Sequence, residues 1–291
     1  MDADLVELSE ADLADALALS AEAHWNQNAA DWATMLRLGQ GWGLRARGPD
    51  GGSVLAASTL VLPYAGFAWI SMVLVLPGHR GQGLAARLLR HALDWLGTRG
   101  MVPVLDATPA GRPVYLRHGF VDTWGFVRYR REATERPADD PAPGPRALEE
   151  TDWPAIAALD APAFGADRLP LLRTLARRLP AAARVLDGPQ GLRGYVLGRD
   201  GREAVQLGPL LAADDAAARL LLASALAGIR GAVYADLCDH RNALLPWLRE
   251  QGFQAQRPFT RMVHASAAAP ENTKAPGRPA PCVLVAGPEL G

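Results

Sequence analysis

The chain of 291 residues has little cysteine and almost no lysine. Cys238 and Cys282 are its only cysteines, and neither stands in a CxxC or Cys/His spacing. This excludes the common zinc motifs and disulfide-rich scaffolds, and it is typical of a reducing compartment. Lysine occurs once, at Lys274, so arginine carries almost all of the basic charge. The sequence therefore predicts no metal site.

Net charge and long apolar runs are lacking as well. The formal net charge is -1, and the hydrophobic content is 49%. Such a charge balance gives no sign of a basic stripe that would bind nucleic acid or an acidic membrane surface. No apolar run approaches the ~20 residues of a membrane span, and the acidic start at Met1–Asp4 is unlike a secretory signal. We expect a cytoplasmic protein with no nucleic-acid or membrane partner, and a homodimer stays open.

The most informative segment is a basic glycine loop between an apolar run and an amphipathic pattern. Pro77 ends the apolar run, and leucines on one helical face follow over 84–97, which predicts a strand, a loop and a helix. Helix N-termini present unpaired amides and a positive dipole end. Gly81 and Gly83 would let an anion approach those amides closely, and Arg80 adds charge. The segment therefore predicts a pyrophosphate cradle.

Two classes of protein use such a cradle. Gly81-x-Gly83-x-x-Ala86 matches the dinucleotide fingerprint, and Asp106 stands roughly 20 residues further on, where a ribose-binding acid is expected. In that class, however, the strand runs almost directly into the first glycine, whereas residues 77–80 intervene here. A nicotinamide oxidoreductase is therefore the weakest alternative.

The loop also resembles the acetyl-CoA loop of the GNAT superfamily of N-acetyltransferases, Q/R-x-x-G-x-G/A. Arg80–Ala85 fits it at every defined position, and Val75–Arg80 fits the lead-in V-x-P-x-x-R. Downstream, Tyr115–Phe120 is similar to the family's Y-E-K-L-G-F segment. Further similarity in the second half, to a bacterial tandem-GNAT subfamily, extends the resemblance over nearly the whole chain.

The resemblance implies an activity and a set of residues that bind its co-substrate. A GNAT protein transfers acetyl from acetyl-CoA to an amine by direct attack in a ternary complex, without a metal. The family holds the pantetheine arm where its fourth strand separates from the fifth; the plain alternative is a pair of ordinary buried strands. The residues implied to bind acetyl-CoA are Val73, Leu74, Val75, Arg80, Gly81, Gln82, Gly83, Leu84, Ala85 and Thr108.

The same resemblance makes Tyr115 the candidate general acid for the thiolate, with a packing tyrosine as the alternative. The general base is open, because Trp69 stands where some relatives carry a glutamate. Asp106 is the named candidate, beside a water relay and Glu22 or His24. Asp106 could equally cap the helix that follows it.

The acceptor is expected beneath the loop that joins the first two helices. Aromatic walls with a few amides suit a small primary amine, and no carboxylate cluster points to a polyamine or an aminoglycoside. Trp25 and Trp32, seven residues apart, could instead form a core pair on one helical face. The predicted acceptor residues are Trp25, Asn26, Trp32, Trp69, Ser71 and Met72.

The chain contains an internal repeat. Gly119-Phe120 recurs at Gly252-Phe253, and Phe126 recurs at Phe259, both at an offset of 133. Each copy predicts a mixed twisted sheet flanked by helices, an α/β (mixed α+β) class. In order, we predict an N-terminal catalytic GNAT domain over 1–131, a linker over 132–145, a degenerate GNAT-like domain over 146–266, and a Pro/Ala-rich tail over 267–291 that ends in a strand-like segment.

The two copies differ at the loop. Residues 80–83 correspond to Ala212–Asp215, so the arginine and both glycines are lost. Two carboxylates now stand at the helix start, where they can satisfy the amides themselves. We expect the second copy to have lost acetyl-CoA binding. A different class also stays open, a non-catalytic acetyl-CoA-binding regulator whose second domain contacts a partner protein.

Overall fold

The structure, a computed structural model, describes residues 3–47, 52–134, 144–265 and 274–291. The chain divides into two units. The first holds residues 1–105 with 201–203 and Leu290, and the second holds 106–200, 204–289 and Gly291. Most of the predicted linker (135–143) and the start of the predicted tail (267–273) lie outside the described residues.

The first unit contains a five-stranded sheet and helices, and its strands form the mixed sheet that the sequence predicts. Its strands lie in the order β1-β2-β3-β4-β5, antiparallel except for the parallel β4–β5 pair. The last two residues of β5 belong to the second unit. The elements are β1 (Asp4–Leu8), α1 (Leu13–Glu22), α2 (Ala29–Leu38), β2 (Gln40–Arg47), β3 (Ser53–Pro63), β4 (Phe67–Val75), α3 (Leu84–Gly97) and β5 (Val102–Ala107).

Helix α3 forms over the predicted residues and positions the glycine loop. Its apolar face buries Leu88, Leu89, Ala92 and Leu96 against strands β2, β3 and β4. Burying each such leucine stabilises the fold by about 1.5–3 kcal/mol. The start of α3 is therefore fixed relative to the end of β4, and the loop between them has a defined shape.

The second unit has a larger sheet, in the order β12-β6-β11-β13-β10-β9-β8-β7. Helix α7 packs on β8, β9 and β10, and Leu221, Leu222 and Ala225 of this helix are fully buried. The elements are α4 (Arg112–Arg117), β6 (Phe120–Arg131), β7 (Arg146–Ala147), α5 (Trp153–Phe164), α6 (Leu169–Arg178), β8 (Arg184–Gly188), β9 (Gly191–Arg199), β10 (Val205–Ala212), α7 (Asp215–Ala227), β11 (Val233–Cys238), α8 (Leu245–Glu250), β12 (Gln254–His264) and β13 (Cys282–Leu284).

Strand β6 explains why these units differ from the predicted domain boundaries. It is the last strand of the first sequence copy, yet it pairs antiparallel with β12 along one edge and with β11 along the other. The units therefore divide the chain at Leu105, whereas the boundaries at 131 and 146 follow the sequence repeat. Those boundaries stay a prediction about the repeat.

None of the helices in the described part of the chain is both long enough and apolar enough to cross a bilayer.

Candidate active site

The predicted glycine loop lies between β4 and α3 in the first unit. It opens with a 3-10 turn over Pro77–His79, and Gly81 and Gly83 follow with φ of 74° and 76°. Both angles lie in the left-handed region that glycine adopts without strain. A Cβ at either position would meet nothing within 4 Å. The loop backbone is therefore open to a ligand, and the intervening turn argues against the dinucleotide fingerprint.

The first amides of α3 face this opening. Gly83 is the N-cap of the helix and has no side chain that could bond them, and the helix dipole places positive charge there. The loop side chains hold the loop instead. Arg80 Nε donates to the carbonyl oxygen of Val75 at 3.2 Å, and Gln82 Nε2 donates to that of Gly78 at 3.4 Å.

The predicted residues Leu84 and Ala85 are the first two residues of α3. The side chain of Leu84 is buried and that of Ala85 is half-buried, and their backbone amides belong to the helix turn whose N–H groups have no intrahelical partner.

Strand β4 leaves part of one edge outside its ladder with β5. Parallel pairing runs over Phe67–Trp69 and ends there, although β4 continues to Val75. Among the described residues, only β3 and β5 pair with β4. We call residues 70–75 on the side facing away from β3 the open edge of β4. It contains the predicted residues Val73, Leu74 and Val75, and it ends at the glycine loop.

A β-bulge bends β4 within this stretch. Leu60 pairs with Ser71 and Ser58 pairs with Leu74, so one residue of β3 faces two of β4. Met72 takes a φ of 52°, a strained value for a residue with a side chain. Ser58 Oγ donates to the Met72 carbonyl at 2.8 Å and holds the bulge. Ser58 could not be identified from the sequence, because a serine in an apolar strand gives no sign of its partner.

Tyr115 and Thr108 lie in the second unit. Burial raises the pKa of Tyr115 to about 12, so the phenol keeps its proton at neutral pH. Thr108 Oγ1 accepts a hydrogen bond from the Gly111 amide at 3.1 Å and shapes the turn before α4. A Cβ on Gly111 would lie 3.0 Å from the Tyr115 ring, so the glycine lets the tyrosine pack closely on this turn.

Asp106, the named candidate base, forms a bidentate ion pair in the second unit. Arg261 donates from Nε and from one terminal nitrogen to the two carboxylate oxygens, at 2.9 Å each. The Asp106 side chain is fully buried, and this burial raises its pKa against the opposing charge of Arg261. It does not cap α4, whose N-cap is Gly111. A base role for Asp106 stays a prediction that requires this pair to open.

The predicted acceptor residues fall into two groups. Trp32, Trp69, Ser71 and Met72 are buried in the first unit, and Trp32 Nε1 donates to Ser20 Oγ at 2.8 Å. Trp32 is therefore a core residue with its polar group satisfied. Trp25 lies in the loop before α2 and is half-buried, so the two tryptophans are not a pair on one helix.

Asn26 is buried but bonded. Its Oδ1 accepts from the amide of Glu203 at 2.9 Å, and its carbonyl oxygen accepts from the amide of Arg202 at 2.7 Å. Both partners belong to the same unit. Of the six predicted acceptor residues, Trp25 is the one with substantial exposure.

In the second unit, the corresponding helix start is capped by a side chain of the protein itself. Asp214 is the N-cap of α7, and its side chain accepts from the Ala217 amide at 2.8 Å, as the sequence analysis predicts. Asp215 does not cap the helix but pairs with Arg241 at 3.0 Å. This helix start therefore presents carboxylates where α3 presents bare amides.

The strand edge that corresponds to the open edge of β4 is also covered. Strands β10 and β11 pair in parallel over Val205–Leu207 and Val233–Ala235. Beyond that point β13 lies between them, antiparallel to both, with Leu284 opposite Leu210 and Leu237. The predicted strand-like end of the tail thus occupies the position that stays open beside β4.

Two family models match the sequence, one in each half. The model described as acetyltransferase (GNAT) family matches residues 13–120, and that described as acetyltransferase (GNAT) domain matches residues 156–275. Together they span more than half of the chain. The sequence matches no curated protein.

Solved structures share the fold at low sequence identity. A Pyrococcus horikoshii protein classed as an acetyltransferase is 20% identical with a TM-score of 0.77, covering 99% of this chain and 96% of that one. A GCN5-related N-acetyltransferase from Sphaerobacter thermophilus is 14% identical with a TM-score of 0.63, covering 89% and 95%. A tandem GNAT protein from the clavulanic acid pathway is 15% identical with a TM-score of 0.59, covering 90% and 98%. At such identities the likeness shows the fold.

Proposed function

We propose that this chain, which belongs to the GNAT acetyltransferases and has one domain of that family in each half, transfers the acetyl group of acetyl-CoA to a small primary amine. We place the transfer in the N-terminal copy and infer direct attack within a ternary complex. Acetyl-CoA supplies a thioester carbonyl that an amine can attack. The free thiols Cys238 and Cys282 support a reducing compartment, the cytoplasm.

The glycine loop is the observation that carries this proposal. Gly81 and Gly83 hold left-handed backbone angles with open space above them, and the α3 amides beside them lack a side-chain cap. A diphosphate fits such a site, because several N–H groups and the helix dipole favour the same anion. The loop and the open edge of β4 are continuous in the chain, so one extended ligand could follow both.

The open edge of β4 supports the pantetheine arm as that ligand. A β-strand edge offers backbone N–H and C=O groups to an extended partner, as in peptide recognition by strand addition. The bulge at Met72, held by Ser58, changes the direction of these groups in the middle of the edge. Bulges of this kind are found next to active sites, where they re-aim backbone and side-chain groups.

The proton donor and the proton acceptor are different groups in this proposal. Tyr115, with its pKa raised to about 12, is the proposed proton donor to the leaving thiolate, since it is neutral at physiological pH. We favour a water relay to remove the amine proton, because the Asp106 carboxylate is fully buried and both of its oxygens are bonded to Arg261. A proton acceptor must lie within hydrogen-bond reach of the proton that it takes.

The proposed chemical class of the acceptor is inferred from the side chain of Trp25. Its half-buried ring is suited to a partly apolar amine, since such ligands bind against aromatic side chains with few polar groups. Trp32 is removed from this assignment because its indole is fully buried and bonded to Ser20. The acceptor is therefore proposed to be small and uncharged apart from its amine.

Isothermal titration calorimetry with acetyl-CoA on a Gly83→Glu variant tests the proposal. The added carboxylate would repel the diphosphate and compete for the α3 amides. Each lost charge-assisted hydrogen bond costs about 1.5–3 kcal/mol, so the dissociation constant should rise at least about tenfold.

Gly100→Glu is the matched control. Gly100 lies just beyond the other end of α3 with φ of 63°, is exposed, and has nothing within 4 Å of a Cβ. The glutamate introduced at this position carries the same charge and causes similar backbone strain, but it lies away from the glycine loop. Equal affinity in wild type, Gly83→Glu and Gly100→Glu would overturn the proposal.

A further inference from the structure

The two cysteines of the chain lie against each other in the second unit. Cys238 is the last residue of β11, Cys282 is the first residue of β13, and their Sγ atoms are 3.5 Å apart. Leu237 pairs with Leu284 across the same two strands. The thiols therefore sit at one end of the ladder that holds β13 beside β11, although 44 residues separate them in sequence.

The surroundings differ for the two thiols. Cys238 is fully buried, with Phe126, Phe259 and Val285 in one apolar cluster, and burial raises the pKa of its thiol. The Cys238 thiol donates a hydrogen bond to the Cys282 sulfur. That bond, together with the positive charges of Arg261 and Arg168, lowers the pKa of Cys282.

Cys282 lines a small cavity. It is half-buried and lines a cavity of about 20 Å³ together with Trp124, Arg168 and Arg261. A cavity of this size holds a molecule about as large as water, and hydrogen peroxide is only slightly larger. Cys282 is thus the more acidic thiol and stands beside a cavity, and Cys238 is its buried partner.

From this arrangement we propose that Cys238 and Cys282 form a reversible redox site that closes to a disulfide on exposure to a peroxide and fastens β13 to β11. The Cys282 thiolate attacks one peroxide oxygen and becomes a sulfenic acid, while hydroxide leaves. The Cys238 sulfur then attacks the Cys282 sulfur; the S–S bond forms, and the sulfenic oxygen leaves as water with the Cys238 proton. The two sulfurs together give up two electrons, and the peroxide accepts them.

Closure needs only a local movement. A disulfide has an S–S length of about 2.05 Å, so the two sulfurs, 3.5 Å apart, must approach by roughly 1.5 Å. In a reducing compartment such a bond is transient and reports oxidation. Here it would tie down the tail strand that covers the edge of β10 in the second unit.

Thiol counting on the full chain tests the proposal. The reduced protein is treated briefly with hydrogen peroxide, the remaining thiols are blocked with a maleimide, and the intact mass and its peptides are measured. We expect a chain two hydrogens lighter with no maleimide attached, a cross-linked peptide pair containing Cys238 and Cys282, and full recovery of both thiols with dithiothreitol. Retention of both thiols, oxidation of Cys282 to sulfinic acid, or a disulfide-linked dimer on a non-reducing gel would overturn it.

Two further measurements separate the site from general thiol reactivity. In a Cys238→Ala variant, which removes the buried partner, Cys282 should stop at the sulfenic acid and react with dimedone. Closing a loop of this length should also raise the Tm of the oxidised wild type on the order of 5 °C. A Tm that does not change on oxidation would contradict the fastening of β13.

Discussion

Phe126 and Phe259 occupy the same position in the two sequence copies and pair with each other in the fold. They are opposite residues in the β6–β12 ladder, with ring centroids 5.0 Å apart and planes inclined by 14°. Val127 pairs with Pro258 on one side and Gly125 pairs with Thr260 on the other, so this ladder has a local twofold through the two phenylalanines. The last strands of the two sequence copies, β6 and β12, therefore pair with each other.

This relationship predicts that residues 1–131 do not fold as a stable monomer. The fragment would end with β6, whose two edges are paired with β11 and β12 in the whole chain. Both edges would be unpaired in the fragment, and exposed strand edges promote association. We expect aggregation, or a dimer through β6, in size-exclusion chromatography with light scattering, and a 1:1 complex on co-expression with residues 146–291. A cooperative, folded monomer of 1–131 would contradict it.

The Asp106–Arg261 pair should contribute to stability. An Asp106→Asn change leaves the Arg261 charge buried without its counter-ion, which should lower the free energy of unfolding by about 3–5 kcal/mol in urea denaturation. Asp122→Asn is the control, because Asp122 pairs with Arg112 at the surface, and loss of an exposed ion pair should change stability far less.

An Asp106→Asn, Arg261→Met double variant separates structure from catalysis. It removes both charges and should recover much of the lost stability. If activity returns with stability, the role of Asp106 is structural. A stable double variant whose turnover no longer falls at low pH would instead support Asp106 as the base.

The two tryptophans near the predicted acceptor site should behave differently. Trp32→Phe leaves Ser20 without its indole donor and opens space in the core, so stability should fall by about 1–3 kcal/mol with KM for the amine unchanged. Trp25→Phe should change that KM with little effect on stability, because the ring is half-buried in a loop. A larger KM effect from Trp32→Phe than from Trp25→Phe would return Trp32 to the acceptor site.

Local patterns in the sequence were sufficient to predict the loop and its flanking elements. The glycines, the preceding proline and the leucine spacing of α3 all act within a few residues, and the helix forms over 84–97 as predicted. The Asp214 cap was predictable for the same reason, since N-capping depends on a residue three positions from the amide that it binds.

Partners distant in sequence could not be predicted in this way. Arg261 stands 155 residues from Asp106, and no local pattern marks one as the partner of the other. The exchange of β6 into the second unit and the insertion of β13 depend on strand pairing between remote segments. The place of Trp32 in an acceptor wall stays a prediction, because an indole on an amphipathic helix has the same spacing whether it faces a ligand or the core.

One acetyl-CoA molecule should bind per chain. In the second unit, β13 covers the relevant edge of β10 and Asp214 caps α7, so two independent features oppose binding. Replacing Asp214 and Asp215 with glycine should therefore not create a second site in calorimetry. Glycine is itself tolerated at an N-cap, so the lost cap should lower stability only slightly. Two binding events per wild-type chain would show that the second copy is not degenerate.

Tyr115→Phe should separate chemistry from binding. The change removes only the phenolic oxygen, so the ring still packs against Phe120 and the turn at Gly111. Loss of a general acid lowers kcat by about 10²–10⁴, while the acetyl-CoA dissociation constant should stay the same. Tyr129→Phe, on β6, is the matched control.

The pH dependence of turnover provides a second test of Tyr115. With a pKa of about 12, Tyr115 stays protonated throughout the neutral and mildly basic range, so wild-type turnover should show no decline from phenol ionisation below about pH 11. A fall in wild-type turnover across the mildly basic range that is absent in Tyr115→Phe would contradict this pKa. An acetyl-CoA-binding regulator would show no kcat loss in Tyr115→Phe, because it turns over no substrate through this tyrosine.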